Sequence, residues 1–272
     1  MSNSRRVLTL GLALLMSLSL SAPALAQGTP EAQVRVAHLS PDAPNVDVSV
    51  NGEPVAALQN VSFGTISPYL PLPAGAQQVT VYPTGDRSQP VIDTPVDIAA
   101  GGAYTIGAVG LVADGSLRAQ VYQDDLTPPA QGNSKLRVVH ASPDAGPVDV
   151  LPAGGATLVS SLQFPNASPY AQVPAGTYTL NVNAAGTNTT AISVPNATVA
   201  SGGAYSAFAV GTASAGSLQV ILVQDNAGVE PLPSTGGISP GWFGAGLAIL
   251  GVMLSASLGV GAYALRYARV KE

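Results

Sequence analysis

Residues 35–43 read RVAHLSPDA, and residues 137–145 repeat this stretch as RVVHASPDA. Each copy is followed within a few residues by Val-Asp-Val, and the offset of 102 residues (137 − 35) is the same throughout the block. The only two histidines of the chain, His38 and His140, lie in these two copies. The chain therefore contains a duplicated unit, from which the rest of its organisation can be worked out.

Composition favours short strands joined by many turns. Charged residues make up only 9% of the 272 residues, while Gly (30) and Pro (23) are frequent. Such a chain is poorly suited to long, salt-bridged helices. It has no cysteine, which excludes disulfides, thiolate metal sites and cysteine nucleophiles.

The charge balance argues against nucleic acid as a partner. Between Gln27 and Thr235 there are five basic and fourteen acidic residues, a net charge of −9 (5 − 14). A surface of this kind has no basic patch with which to neutralise a phosphate backbone.

The duplication extends over almost the whole central part of the chain. Ser-Pro-Tyr at residues 67–69 returns at residues 168–170, and Gly-Gly-Ala-Tyr at residues 101–104 returns at residues 202–205. We therefore predict three segments: repeat one (residues 34–125), a linker rich in Pro and Gly (residues 126–134) and repeat two (residues 135–225).

Within each repeat the apolar residues alternate with polar ones. Val46, Val48 and Val50 lie on one face of a strand, and Asn51-Gly52 then offers a tight hairpin turn. About seven short strands per repeat predict an all-β fold, with two tandem antiparallel β-sandwich domains of immunoglobulin-like or transthyretin-like topology. A small open barrel is a further alternative that the sequence leaves open. Tyr104 and Tyr205, each after a Gly-Gly turn, are placed where a tyrosine corner would lie.

The N-terminus has the three parts of a secretory signal peptide. Arg5 and Arg6 precede a short apolar run, and Ala24 and Ala26 then form a small-x-small cleavage site. We expect residues 1–26 to be removed and the mature chain to begin at Gln27.

The C-terminus is similar to the cell-wall sorting signal that sortases read. Its pentapeptide is Leu232-Pro233-Ser234-Thr235-Gly236, in a tether at residues 226–236. An apolar transmembrane helix is predicted at residues 241–265, and a basic tail at residues 266–272 would stay cytoplasmic by the positive-inside rule. The resemblance implies cleavage after Thr235 and linkage to peptidoglycan. The alternative is a retained membrane anchor, and either arrangement places the protein on the extracellular face of the cell envelope.

The repeated residues resemble a known family. The His-x-Ser-Pro-Asp-Ala block, the Val-Asp-Val that follows, a Pro-Ala-Gly turn and the Gly-Gly-x-Tyr strand are similar to the family called domain of unknown function 4397. The resemblance covers nearly all of the mature chain, twice. It implies secretion and a β-sandwich, and it carries no established activity.

The repeated block supplies the candidates for a polar site: His38, Ser40, Pro41, Asp42, Asp47, His140, Ser142, Pro143, Asp144 and Asp149. In a structural interpretation, proline presets a turn and aspartate hydrogen-bonds the nearby backbone. In the other interpretation, Asp42 and Asp144 bind calcium together with loop carbonyls. A hairpin about Ala43 would point Asp47 outward, away from His38, so the ligands would not converge. That geometry favours the turn, and we predict no metal and no cofactor.

A catalytic interpretation has little support. His140, Ser142 and Asp144 are too crowded in sequence to serve as base, nucleophile and orienting group. The sequence contains no nucleophile elbow and no phosphate-binding glycine loop. We therefore expect no enzymatic activity.

These observations predict a wall-anchored or membrane-anchored bacterial surface protein that displays two β-sandwiches as binding or spacer modules. Its expected partners are sortase and peptidoglycan, with an extracellular protein or glycan as a further ligand. The tether would keep repeat two near the wall and place repeat one outermost. Two alternatives remain: a calcium-dependent adhesin that uses the Ser-Pro-Asp-Ala loops, and a structural stalk without a ligand.

Overall fold

The computed structural model describes residues 29–227 of the chain. The signal-peptide residues Ala24, Ala26 and Gln27 lie outside the described residues, as do the sorting pentapeptide (232–236), the predicted membrane span (241–265) and the basic tail (266–272). Within residues 29–227, no helix has the length and apolar character needed to cross a membrane.

Each repeat forms eight strands. Those of the first repeat are β1 (Glu31–His38), β2 (Val46–Val50), β3 (Glu53–Pro54), β4 (Leu70–Pro73), β5 (Gly75–Pro83), β6 (Ile92–Ile98), β7 (Ala103–Val109) and β8 (Arg118–Asp124), with a short 3-10 turn at Ala56–Leu58. Those of the second are β9 (Asn133–His140), β10 (Val148–Pro152), β11 (Val159–Leu162), β12 (Ala171–Pro174), β13 (Gly176–Ala184), β14 (Thr190–Val199), β15 (Ala204–Val210) and β16 (Gln219–Gln224). Strand β9 begins inside the segment predicted as linker.

Two four-stranded sheets make up each repeat. In the first repeat their strand orders are β4-β1-β7-β8 and β3-β2-β5-β6, and in the second they are β12-β9-β15-β16 and β11-β10-β13-β14. The pairs β1–β7 and β9–β15 are parallel, and the other strand pairs are antiparallel. The prediction of an all-β chain with tandem sandwiches is thus confirmed. The strand order, however, differs from the immunoglobulin arrangement, in which the first two strands share a sheet.

The expected hairpin about Ala43 is wrong, because β1 and β2 belong to different sheets. The chain crosses from one sheet to the other at the Ser-Pro-Asp turn. Asp47 therefore does not lie opposite Leu39, and it is 8% exposed rather than pointing outward. The neighbouring hairpin prediction is confirmed: Asn51 and Gly52 both have positive φ (52° and 82°) between β2 and β3, as a type I′ turn requires.

The two tyrosines after the Gly-Gly turns fix the start of β7 and β15. The hydroxyl oxygen of Tyr104 accepts a hydrogen bond from the Ala99 N–H (3.3 Å), and that of Tyr205 accepts one from the Ala200 N–H (3.0 Å). The ring of Tyr104 lies so close to Gly102 that a Cβ there would be 2.6 Å from it. The second glycine of this turn is thus required by packing.

Each sandwich has its own apolar core. In the first repeat the core is built from inward-facing residues of both sheets, such as Val34, Val48 and Val81. In the second, two clusters around Leu180 and Val182 have the same role. A further cluster draws its members from both repeats, and the described chain up to Asn226 forms one compact unit. The junction between the repeats is therefore part of the folded core.

Candidate functional site: the buried junction between the repeats

Equivalent positions of the two repeats supply eight polar residues to the junction. The first repeat contributes Arg35, Tyr69, Thr105 and Asp124, and the second contributes Arg137, Tyr170, Ser206 and Asp225. We call this set the junction cluster. The arginine lies on the first strand of each repeat and the aspartate at or just after its last strand, so the cluster ties together the two ends of each duplicated unit.

Within each repeat, two hydroxyl groups fix the aspartate. Asp124 Oδ2 accepts hydrogen bonds from the Tyr69 hydroxyl (2.5 Å) and the Thr105 hydroxyl (2.7 Å). The second repeat reproduces both bonds at its own aspartate, each at 2.7 Å. One oxygen of each carboxylate is thereby held inside its own repeat, and the other oxygen remains free to reach across the junction.

The arginines exchange partners between the repeats. Arg35 Nη2 donates to Asp225 Oδ1 at 2.6 Å, and Arg137 Nη2 donates to Asp124 Oδ1. Each arginine thus pairs with the aspartate of the other repeat, which is the reciprocal pattern of a two-fold interface. Because both pairs need both repeats, the polar contacts fix one register between the two sandwiches.

Burial makes these charge pairs significant. The side chains of Arg35, Arg137, Asp124 and Asp225 are 2% exposed or less, and their formal charges cancel. Burial by itself would lower the pKa of Arg35, but Asp225 and its other neighbours raise the pKa overall, so the guanidinium stays charged. Burial raises the pKa of Tyr69, and the nearby carboxylate of Asp124 raises it further. The phenol therefore remains a hydrogen-bond donor.

An apolar cluster with members from both repeats lies at the same junction, where Arg35 Cζ is 5.9 Å from the centroid of the Phe208 ring. Its fully or nearly fully buried members are Ala37, Leu39, Val109, Tyr122, Val139, Ala141, Phe208 and Val210. The Tyr122 hydroxyl also crosses the junction and donates to the Pro165 carbonyl at 2.7 Å. Large and small side chains are exchanged between equivalent positions of the two repeats. Gly107 in repeat one corresponds to the large Phe208 in repeat two, whereas Tyr122 in repeat one corresponds to the smaller Val223.

The repeated block lies at the turns of each sandwich, and its first aspartate binds backbone. Asp42 accepts hydrogen bonds from the N–H groups of Val112 and Ala113, each at 2.9 Å. Asp144 makes the equivalent bonds in the second repeat, at 2.7 and 2.9 Å. Desolvation would raise the pKa of Asp42, but these N–H donors lower it overall. The carboxylate therefore joins the Ser-Pro-Asp turn, preset by Pro41 or Pro143, to the turn before the last strand.

The second aspartate of each block is also held by local donors. Asp47 Oδ1 accepts from the Asn60 N–H (2.8 Å) and the Thr84 hydroxyl (2.9 Å). In the second repeat, Asp149 accepts from two backbone N–H groups at 2.7 and 2.8 Å. The backbone donor Asn60 lowers the pKa of Asp47, and backbone donors lower that of Asp149 in the same way. These carboxylates hold neighbouring loops.

The two histidines are buried and bind the turn that follows them. Nε2 of His38 lies 3.0 Å from the Pro44 carbonyl oxygen, and Nε2 of His140 lies 3.0 Å from that of Gly146, so each Nε2–H donates. Burial lowers the pKa of both imidazoles.

The serines of the block differ between the repeats. The Ser40 hydroxyl donates to the Gly110 carbonyl at 2.7 Å, whereas the buried Ser142 hydroxyl has no hydrogen-bond partner within residues 29–227. Over the same residues, no group of three or more His, Asp or Glu side chains is placed to hold a metal ion.

The sequence analysis identified the repeated block and did not identify the junction cluster. A signal was nevertheless present, because Arg35 opens the repeated block and Asp124 belongs to the repeated Gln-Asp that closes each unit. A basic and an acidic residue retained in both copies of a chain with only 9% charged residues indicated a reciprocal pair. Charged residues are almost never fully buried unless they are paired.

Comparison with known proteins places this all-β protein with tandem sandwiches in a family. The sequence model described as Domain of unknown function (DUF4397) matches residues 32–151 and again residues 134–235. The two overlapping matches cover more than half of the chain, so the chain belongs to this family. No curated protein matches it.

Two solved structures are similar at low identity. One is the Bacillus anthracis TIE protein (12% identity, TM-score 0.22), where the match covers 67% of this chain and 34% of that chain. The other is CBMbc, of family CBM26, from Eubacterium rectale Amy13K in complex with maltoheptaose (9% identity, TM-score 0.23), where it covers 71% of this chain and 96% of that one. This chain thus spans about a third of the Bacillus anthracis protein's length. TM-scores this low support no conclusion about function.

Proposed function

We propose that this chain is an exported bacterial surface protein that displays its two sandwiches as one compact binding module. Family membership and the paired β-sandwiches fit a binding or spacer module. Export and anchoring are argued from the sequence of the two ends, with residues 1–26 as signal peptide and residues 232–236 as sortase substrate.

One contact favours a binding module over a stalk. Arg35, on the first strand of repeat one, pairs with Asp225, which lies directly before the tether, at 2.6 Å. A stalk needs its displayed end far from its anchored end. Here the first strand and the last residues of the folded part meet at the junction, so the chain between them adds little reach. An end-on arrangement with repeat one outermost is disfavoured for the same reason.

The strand order also bears on the class of sandwich. It departs from the immunoglobulin arrangement, and β1 and β9 each pair in parallel with the seventh strand of their repeat. Of the topologies that the sequence left open, we therefore assign the transthyretin-like one to each repeat.

Cell fractionation tests the proposed display. Wild-type protein should be recovered covalently in the wall fraction, and Thr235→Ala should remain in the membrane fraction because the residue joined to the wall is changed. Ser234→Ala is a matched control, since it alters the variable position of the pentapeptide and should behave as wild type. Recovery of Thr235→Ala in the wall fraction would contradict sortase anchoring, and retention of all three proteins inside the cell would contradict export.

A further inference from the structure

A groove runs along the junction and is lined by both repeats. Its volume is about 400 Å³, within the roughly 300–1,000 Å³ typical of ligand sites, which often lie between domains. The main lining residues are Gln120, Tyr122 and Gln123 from β8 and Arg137, Asn166 and Tyr170 from the second repeat. Because both repeats line the groove, its shape depends on how the two sandwiches pack at the junction.

The polar groups offered by this groove are neutral. The side chain of Asn166 makes no hydrogen bond to other residues between 29 and 227, and that of Gln120 makes only a long one (3.4 Å) to the Val121 carbonyl. The guanidinium of Arg137 is already used by Asp124, by Ser206 and by the Gln123 carbonyl. A ligand would therefore meet free amides and no uncompensated charge.

Free amides beside an aromatic ring suit a hydroxyl-rich ligand. An amide side chain both donates and accepts hydrogen bonds, as a sugar hydroxyl does. Arg137 and Lys135 lie over the Tyr170 ring, 4.9 and 5.3 Å from its centroid, and cover part of it. The exposed Pro169 and the rest of the ring provide apolar surface at the same groove, against which the C–H face of a sugar can pack. A phosphorylated or acidic ligand would lack a free cation here.

The equivalent positions on the other side of the junction lack this chemistry. Ile221 stands at the position of Gln120, and Thr65 stands at the position of Asn166. The hydroxyl of Thr65 is moreover paired with the Ser62 hydroxyl at 3.0 Å. The two repeats thus share the junction cluster but differ at the positions that line the groove.

We propose that the groove lined by Gln120 and Asn166 binds a neutral oligosaccharide, one per chain. This inference rests on the proposed role as a displayed binding module and names its site and its ligand class. An extended peptide added to the edge strand β8 is a different proposal, and the unpaired amide side chains favour the saccharide.

Isothermal titration of the Gln27–Pro231 fragment tests the inference, with cellohexaose, chitohexaose and maltohexaose as probes. We expect saturable one-to-one binding of at least one probe. The double variant Gln120→Ala/Asn166→Ala should weaken it about tenfold or more, since it removes at least two hydrogen-bonding groups. The control Gln219→Ala/Asn188→Ala changes two exposed amides outside the groove and should leave affinity within about twofold of wild type.

Three outcomes would overturn the inference: no saturable binding of any probe at millimolar concentration, an equal loss in the control variant, or binding that the groove variant leaves unchanged. Far-UV circular dichroism of each variant shows whether the fold is intact. The titration uses purified protein, so its failure would not contradict the proposed surface display. Equally, a failure of wall anchoring would not contradict saccharide binding measured by titration.

Discussion

The substitution Asp124→Asn tests whether the junction is part of the folded core. Asp124 accepts hydrogen bonds from Tyr69 and Thr105 in its own repeat and from Arg137 in the other. Asparagine keeps the shape of the side chain and removes its charge. The guanidinium of Arg137, 2% exposed, would then lie buried without a counter-charge.

The expected loss in free energy of unfolding is large for a single isosteric substitution. Breaking a buried ion pair by removing one partner costs about 3–5 kcal/mol. Arg137 keeps its bonds to Ser206 and to the Gln123 carbonyl, so we expect a value near the lower end, about 3 kcal/mol. In a folded unit of this size, that loss corresponds to a fall in Tm of about 6–12 °C.

An exposed aspartate provides a control with the same change of charge. The Asp97 side chain is exposed on β6 and belongs to no ion pair among residues 29–227, so Asp97→Asn should change the free energy of unfolding by about 0.5 kcal/mol or less. Urea unfolding of the Gln27–Pro231 fragment, followed by far-UV circular dichroism, compares the two variants. The reasoning is refuted if Asp124→Asn loses no more free energy of unfolding than Asp97→Asn.

Three further predictions concern the turns and the junction. Thermal unfolding curves of the same fragment should be superimposable in chelator and in millimolar calcium, because Asp42 and Asp144 each already accept hydrogen bonds from two N–H groups. A rise in Tm of many degrees with calcium would instead show that these aspartates are calcium ligands. Burial lowers the pKa of His38 and His140, so their contribution to stability is complete above about pH 6.5 and is lost as pH falls below it. Unfolding measured over a pH series should therefore show a smaller loss of stability in acid when both histidines are replaced by Gln. An unchanged loss would contradict the role given to the two histidines. Tyr122→Phe should lower the free energy of unfolding by about 1 kcal/mol through loss of the bond to the Pro165 carbonyl, and an unchanged urea midpoint would count against that bond.

The sequence predicted the strands where alternation and turn chemistry agree. Asn51-Gly52 marked its hairpin because both residues tolerate positive φ, and the Gly-Gly-x-Tyr pattern placed Tyr104 correctly at the start of β7. The prediction for the pairing of β1 was wrong because the short separation in sequence suggested a hairpin with β2. In the structure β1 instead lies between β4 and β7, and such long-range pairing leaves no local signal in the chain.

The junction escaped prediction for a different reason. Alternation assigns one face of a strand to the core and the other to water, but both faces of β1 are buried. Val34 faces the core of its own sandwich, whereas Arg35 and Ala37 face the other repeat. A polar face that carries an arginine is indistinguishable from a solvated one until its partner is known, and the partner here is more than 100 residues away in sequence.

The junction also raises the question of why each repeat binds its counterpart rather than a second copy of itself. The charges alone do not decide this, since the Arg and Asp of either repeat could pair reciprocally with an identical surface. Apolar size does discriminate. At Gly107 an added Cβ would already lie 3.2 Å from the side chains of Leu39 and Tyr122, so repeat one fills this region from its neighbouring strands. Repeat two fills it with Phe208 and has the smaller Val223 where repeat one has Tyr122.

A junction of two copies of repeat one would bring together two large tyrosines opposite two glycines, and a junction of two copies of repeat two would bring together two phenylalanines. Either combination changes the local volume, and close-packed interiors tolerate neither voids nor overpacking without loss of stability. The charges therefore set the register, whereas the exchanged apolar sizes make the pairing heterotypic. A heterotypic junction has two unlike edges: one carries Gln120 and Asn166, whereas the equivalent positions at the other are Ile221 and Thr65, and Ile221 packs against the shared apolar cluster.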